Sequence, residues 1–204
     1  MKIAIFASGT GSNALKIIDY LSNYVDTDYK IKTPISFLVL SNKADAPILE
    51  KLSLMKTSKP LINIETFVFN RQQFYEQTTV LDYLQAQDVQ LIVLAGFLWL
   101  VPDYLVAHYP HKIINIHPAL LPKYGGKGMF GMHVHEAVKQ ANETETGITI
   151  HFVNQKYDEG GIILQKKCAI DVDDNAEMIA KKVLLLEHEW LPKVVEQLVN
   201  EVYK

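Results

Sequence analysis

Residues 3–7, Ile-Ala-Ile-Phe-Ala, form an unbroken apolar run that passes straight into Ser8-Gly9-Thr10-Gly11-Ser12-Asn13. A strand without polar alternation is covered on both faces, and such strands belong to parallel sheets with helices packed against them. Apolar residues then recur at three-residue spacing, at Leu15, Ile18 and Leu21, which predicts a helix. Strand, glycine turn and helix in succession open an α/β chain. They also leave backbone N–H groups at the positive end of a helix dipole, an arrangement that suits a phosphate. It suits equally a tight turn whose glycines serve the backbone alone. The loop is neither a Walker loop nor a full GxGxxG, since after Gly9 and Gly11 comes Ala14. Ser12 or Asn13 is the expected cap of the helix.

The alternation continues. Residues 34–40 read as a second buried strand, followed by a helix reaching about residue 56, and residues 61–64 as a shorter third strand. A helix over 71–85 presents Phe74, Val80, Leu81 and Leu84 as its apolar face. A fourth strand, 91–94, ends in Ala95-Gly96-Phe97-Leu98-Trp99-Leu100, whose aromatics serve either as core or as a wall for a flat ring. Further on come a strand ending at His117, a helix over 134–140, strands over 147–153 and 162–169, and a last helix over 176–199. Asp173 or Asp174 is the expected cap of that helix, and Pro192 the expected irregularity within it. The pattern predicts an α/β fold in one domain, residues 1–204. Its core is a mostly parallel twisted sheet with helices on both faces and an antiparallel C-terminal portion. At 204 residues and 49% hydrophobic the chain can bury such a core unaided.

The chemistry concentrates in residues 112–128, Lys-Ile-Ile-Asn-Ile-His-Pro-Ala-Leu-Leu-Pro-Lys-Tyr-Gly-Gly-Lys-Gly. Asn115 and His117 stand two apart on a strand, so their side chains project from one face. Pro118 ends the strand, and Pro122, Gly125, Gly126 and Gly128 continue as a loop. A polar pair at the carboxyl end of a buried strand is where open α/β sheets place ligands. A buried Asn and His satisfied by hydrogen bonds would look the same. Asp158, in Asp-Glu-Gly-Gly, reads both as a turn former and as a carboxylate able to orient an imidazole for acid–base work. An Asn beside such a pair suits stabilisation of an oxyanion.

Other chemistries fit less well. His117, His133, His135 and His151 lack the HExxH or Cys/His spacings of a zinc site, and no metal is expected. Ser8 and Ser12 lie outside any G-x-S-x-G elbow. A net charge of −3 argues against a general nucleic-acid binder or a membrane-surface protein, though not against a local pocket for a small anion. Cys168 is the one cysteine, so no intrachain disulfide is expected, which fits a cytoplasmic protein. No apolar stretch approaches the ~20 residues of a membrane-spanning helix, and the opening run is too short for a signal peptide.

The opening glycine loop, Ser41-Asn42-Lys43-Ala44-Asp45-Ala46, Leu94-Ala95-Gly96-Phe97, Asn115-Ile116-His117-Pro118-Ala119-Leu120-Leu121-Pro122-Lys123-Tyr124, Gly147-Ile148-Thr149-Ile150-His151-Phe152-Val153, and Asp158 with Gly160-Gly161-Ile162-Ile163-Leu164-Gln165 together span nearly the whole chain. They resemble the folate-dependent formyltransferases and, within them, the glycinamide ribonucleotide transformylases. The resemblance implies transfer of a formyl group from 10-formyltetrahydrofolate to the amine of glycinamide ribonucleotide, in purine synthesis and without a metal. It implies Asn115, His117 and Asp158 as catalytic residues, with a protonated His117 and Asn115 stabilising the oxyanion. It implies Gly11, Ser12 and Asn13 around the substrate phosphate, with Gly96, Pro118 and Glu187 at the nucleotide. For the folate it implies Phe97, Leu98, Trp99, Ile116, Val153 and Asp158, with Arg71 near the phosphate or the folate tail. Partners are then small molecules, with no nucleic acid or membrane, and the protein a cytoplasmic monomer or homodimer.

Two departures stand out. The loop over 123–133 is longer and richer in glycine than the compact family form, and Trp99 stands where an Arg is expected. A formyltetrahydrofolate deformylase shares the Asn/His/Asp set but usually carries an extra N-terminal domain, for which a strand beginning at Met1 leaves no room. Methionyl-tRNA formyltransferase would need a further C-terminal domain and more positive charge. A non-catalytic folate- or nucleotide-binding module would have no need of the trio.

Overall fold

The computed structural model describes residues 1–24 and 34–202. It divides into two compact units, Met1–Ile113 with Pro192–Lys204, and Ile114–Leu191.

The first unit is built on four strands, β1 (Lys2–Phe6), β2 (Ser36–Ser41), β3 (Ile64–Val68) and β4 (Val89–Leu94). They pair in parallel in the order β3-β2-β1-β4. Ile3, Ala4, Ile5 and Phe6 of the central β1 are at most 1% exposed, as an apolar run without alternation requires. The helices are α1 (Ser12–Tyr24), α2 (Pro47–Ser58), α3 (Arg71–Tyr75), α4 (Thr79–Ala86) and α5 (Asp103–His108).

Two expectations are corrected here. The third strand begins where the expected one ended. Leu61 is 99% exposed, whereas Ile64 is buried and the rest of Ile64–Val68 alternates half-buried and exposed positions as an outer strand does. The helix expected over 71–85 is two helices. Phe74 and Val80 are both fully buried, yet six positions in one straight helix would set them about 120° apart around its axis. Breaking the helix between them lets both reach the core. A capping box starts α3, with the Gln73 N–H donating to Asn70 Oδ1 at 2.9 Å and the Asn70 N–H to Gln73 Oε1 at 2.8 Å.

The second unit holds β5 (Ile113–His117), β6 (Glu145–Phe152) and β7 (Ile162–Ala169), paired antiparallel in that order, with α6 (Met132–Gln140) and the start of α7 (Ala176–Val202). Asn175, not Asp173 or Asp174, caps α7, its Oδ1 accepting the Met178 N–H at 2.9 Å. Asp174 is committed elsewhere. It is 1% exposed, accepts the Asp171 N–H at 2.8 Å and pairs with Lys182. Pro192 lies inside α7. Parallel strands with helices first and an antiparallel portion afterwards make the α/β class expected. No helix among the described residues is long and apolar enough to cross a membrane.

Candidate active site

The glycine loop of the first unit is shaped by its packing. Gly11 has φ +66°, and a Cβ there would lie 2.3 Å from the Ile48 side chain of α2, so neither backbone nor space admits another residue. The Leu15 N–H donates to the Gly11 carbonyl at 2.9 Å. Gly11 therefore occupies the cap position expected of Ser12 or Asn13, and those two are the first residues of α1. First-turn N–H groups lack intrahelical acceptors and attract anions. From α2, Lys51 Nζ donates to the Thr10 carbonyl at 3.0 Å and the Ile48 N–H to the Gly9 carbonyl at 3.3 Å, fixing the loop from outside. Ser8 donates its N–H to the Gly96 carbonyl at 3.2 Å, which brings Gly96 beside the loop.

The aromatics after β4 divide between the two expected roles. Phe97 is 7% exposed and packs edge-on against Phe6 at 5.2 Å and Phe74 at 5.5 Å, so it is core. Trp99 is half-buried and closes the same cluster against Phe69, Phe74 and Tyr75. Leu98 stands 50% exposed. The exposed Arg71 places its guanidinium 4.8 Å from the centre of the Tyr75 ring, a cation–π contact.

In the second unit the register decides which side chains meet. Asn115 faces His151, and His117 faces Thr149. Asp158, far along the chain, is brought among them by the turn after β6, where it takes φ +55°. Its Oδ2 lies 3.6 Å from His117 Nδ1 and accepts the Gly126 N–H at 2.9 Å. Its Oδ1 lies 3.5 Å from both Asn115 Nδ2 and His151 Nε2. Asn115 Nδ2 also lies 3.2 Å from His151 Nε2, while His151 Nδ1 donates to the Phe152 carbonyl at 2.9 Å. His117 Nε2 donates to the Tyr124 carbonyl at 2.7 Å. Asn115, His117 and Asp158 thus come together, with His151 as a fourth member.

The electrostatics follow. Burial alone would raise the Asp158 pKa, but the His151 and Gly126 hydrogen bonds and the field of both imidazoles outweigh it and hold the carboxyl below its ordinary value. Burial lowers the His117 pKa. Asp158 and the Tyr124 carbonyl oppose that, the His151 charge adds to it, and the net direction is down. His117 therefore rests neutral at pH 7, between two acceptors that only a doubly protonated ring can fully serve. It is a base held ready for a proton. Burial also lowers His135, and His117 adds to the effect.

Other expected residues have simpler places. Pro118 follows β5 half-buried, Ile116 is buried within β5, Val153 is half-buried just after β6, and Glu187 is half-buried in α7. No group of three or more His, Cys, Asp or Glu among the described residues is arranged to hold a metal ion.

Thr149 escaped the sequence reading, although it stands two before His151 on β6, as Asn115 does before His117 on β5. Its buried Oγ accepts the Leu121 N–H at 3.0 Å, donates to the Ala119 carbonyl at 2.7 Å and receives Gln165 Nε2 at 3.0 Å. It pins the turn that follows His117. Thr149→Val keeps the shape but strands a buried N–H and a buried carbonyl, so about 1–3 kcal/mol of stability should be lost. Denaturant unfolding measures it, and an unchanged midpoint would contradict this role.

The family model described as formyl transferase matches residues 1–195 of the chain. The chain is 35% identical over 199 residues to the phosphoribosylglycinamide formyltransferase of Bacillus subtilis (strain 168), covering 98% of this chain and 95% of that protein. It is 36% identical over 203 residues to the chloroplastic phosphoribosylglycinamide formyltransferase of Arabidopsis thaliana, covering 100% of this chain and 67% of that one. The crystal structure of phosphoribosylglycinamide formyltransferase from Anaplasma phagocytophilum superposes with a TM-score of 0.81 at 31% identity, over 98% of this chain and 88% of the other.

Proposed function

The chain belongs to the formyl transferase family, and from that premise we propose that it moves a formyl group from 10-formyltetrahydrofolate to the amine of glycinamide ribonucleotide, a step of de novo purine biosynthesis. The observation that carries this reading is the meeting of Asn115 and His117 on Asp158. Binding alone requires no buried base beside a carboxylate.

The residues divide the work as follows. The amine attacks the formyl carbon, a C–N bond forms, and the carbonyl electron pair moves onto oxygen. Asn115 donates its amide N–H to that oxyanion. His117, neutral at rest, takes up the proton the amine gives off, and Asp158 steadies the resulting imidazolium. Collapse returns the electron pair and breaks the bond to the folate nitrogen, which takes the proton held on His117 and leaves the imidazole neutral again. The donor set fits this task, since it offers a hydrogen-bond donor, a base and a carboxylate within one contact shell.

Around this centre the reading assigns Gly11, Ser12 and Asn13 to the substrate phosphate, and Gly96, Pro118 and Glu187 to the rest of the nucleotide. Phe97, Leu98, Trp99, Ile116, Val153 and Asp158 are assigned to the folate, with Arg71 near its tail or the phosphate. Phe97 would act from the core, as the support behind Leu98. Residues 1–204 are read as one formyltransferase domain, with the phosphate site in its N-terminal half and the folate site in its C-terminal half. The protein is read as a cytoplasmic monomer or homodimer.

A coupled assay tests the function. Purified protein is given 10-formyltetrahydrofolate with and without glycinamide ribonucleotide, and release of tetrahydrofolate is followed. Release that depends on the ribonucleotide is expected. Release without it would replace this reading with a deformylase, and no release at all would leave a binding module.

A further inference from the structure

His117 is oriented by a backbone carbonyl, and what holds that carbonyl is unusual. Tyr124 has φ +57°, a left-handed conformation that a bulky residue adopts only when its surroundings enforce it. Two contacts on one carboxylate do so. Tyr124 Oη donates to Glu143 Oε1 at 2.9 Å, and Lys123 Nζ reaches the same oxygen at 2.8 Å. Glu143 is half-buried just beyond the end of α6, where its N–H donates to the Val138 carbonyl at 3.4 Å. Neighbouring residues of the loop are thereby anchored at one point.

The consequences run to both catalytic groups. The Tyr124 carbonyl accepts a hydrogen bond from the His117 Nε2–H at 2.7 Å, and two residues later the Gly126 N–H reaches Asp158 Oδ2 at 2.9 Å. Between them, a Cβ at Gly125 would lie 2.5 Å from Leu121 and 3.4 Å from the Asp158 Cβ. At Gly125 the segment has no room for a side chain. We propose that Glu143 is a positioning residue: by clamping the Tyr124 hydroxyl it fixes the carbonyl that keeps the proton on His117 Nε2, leaving Nδ1 as the basic nitrogen turned toward Asp158. The inference rests on the catalytic reading of His117, but the state of the ring can be measured without any reaction.

The experiment labels the histidines with nitrogen-15 and records the ring-nitrogen signals of His117 in the full chain without substrates. Wild type is expected to show His117 protonated at Nε2 and bare at Nδ1. In Tyr124→Phe and Glu143→Ala the two nitrogens should move toward an averaged tautomer mixture. Glu143→Gln, whose amide oxygen still accepts the hydroxyl, should restore most of the wild-type signal. In the transfer assay kcat should fall about tenfold to a hundredfold, as expected for a misplaced catalytic group, with KM for the ribonucleotide within about twofold. The double variant should fall no further than the worse single one, because both changes break one contact. Should Glu143→Ala fail to fold, Tyr124→Phe decides alone, since it removes a single oxygen. Unchanged His117 signals in Tyr124→Phe, or additive losses in the double variant, would overturn the proposal. Absence of transfer in wild type would refute the catalytic reading and leave the tautomer result standing by itself.

Discussion

His117→Ala is expected to lower kcat by about 10²–10⁴-fold, the usual worth of a positioned acid–base group, while ribonucleotide affinity stays near wild type. The ring is 3% exposed and its contacts point inward, to Asp158 and to the Tyr124 carbonyl. Its loss leaves no other imidazole in its place. His151 is held by the Phe152 carbonyl at Nδ1 and by Asn115 and Asp158 Oδ1 at Nε2, so it does not take the place of His117, and His135 sits on another element, α6. The proton leaving the amine then has only water or the less basic Asp158 carboxylate to take it. Folding should survive, because a buried base with a lowered pKa contributes little charge-dependent stability above its ordinary value of 6.5. Turnover at saturating substrates, with calorimetric binding of the ribonucleotide alone, separates the two effects. A variant that transfers formyl at a near-normal rate would remove His117 from the mechanism.

Asp158→Asn is expected to cost about 10²–10³-fold in kcat, comparable to removing one well-aimed electrostatic partner, and to change acid stability as well. The carboxyl titrates below its ordinary value of 3.8 in the folded chain. It therefore contributes stability that is present above pH 3.8 and lost as the pH falls through the lower folded value. The amide variant lacks that contribution throughout. Wild type should be the more stable at pH 7, and the gap should close as the pH falls below the folded value. Denaturant unfolding at both ends of that range measures the gap, and a difference independent of pH would mean that the charge is not what matters. An oxygen of the amide can still accept the Gly126 N–H, so the loop itself should hold.

Much of this was legible in the chain because it depends on local periodicity. Asn115 and His117 share a face for a reason that two-residue spacing states outright. Asp158 reads in the sequence both as a turn former and as a catalyst, because a contact across 43 positions is made by tertiary folding and leaves no local mark. His151 was legible as a strand residue, yet its place opposite Asn115 required knowing the register. The Tyr124 carbonyl and the Gly126 N–H could not be read at all, since every residue carries those atoms. The misplaced third strand has a similar cause. Leu61 and Ile62 are as apolar as a strand, and only the pairing of Phe37 through Ser41 with Ile64 through Val68 shows which residues the sheet takes.

The pairing of β5 with β6 sets Asn115 against His151 and His117 against Thr149, and that makes catalytic output a gauge of fold quality. A slip of one residue between these strands would preserve their hydrogen bonding but turn one set of side chains to the opposite face. Such a molecule would keep its strand content and its spectrum while losing its chemistry. In any preparation, titrated competent sites divided by folded protein would then count the fraction of chains that closed in register.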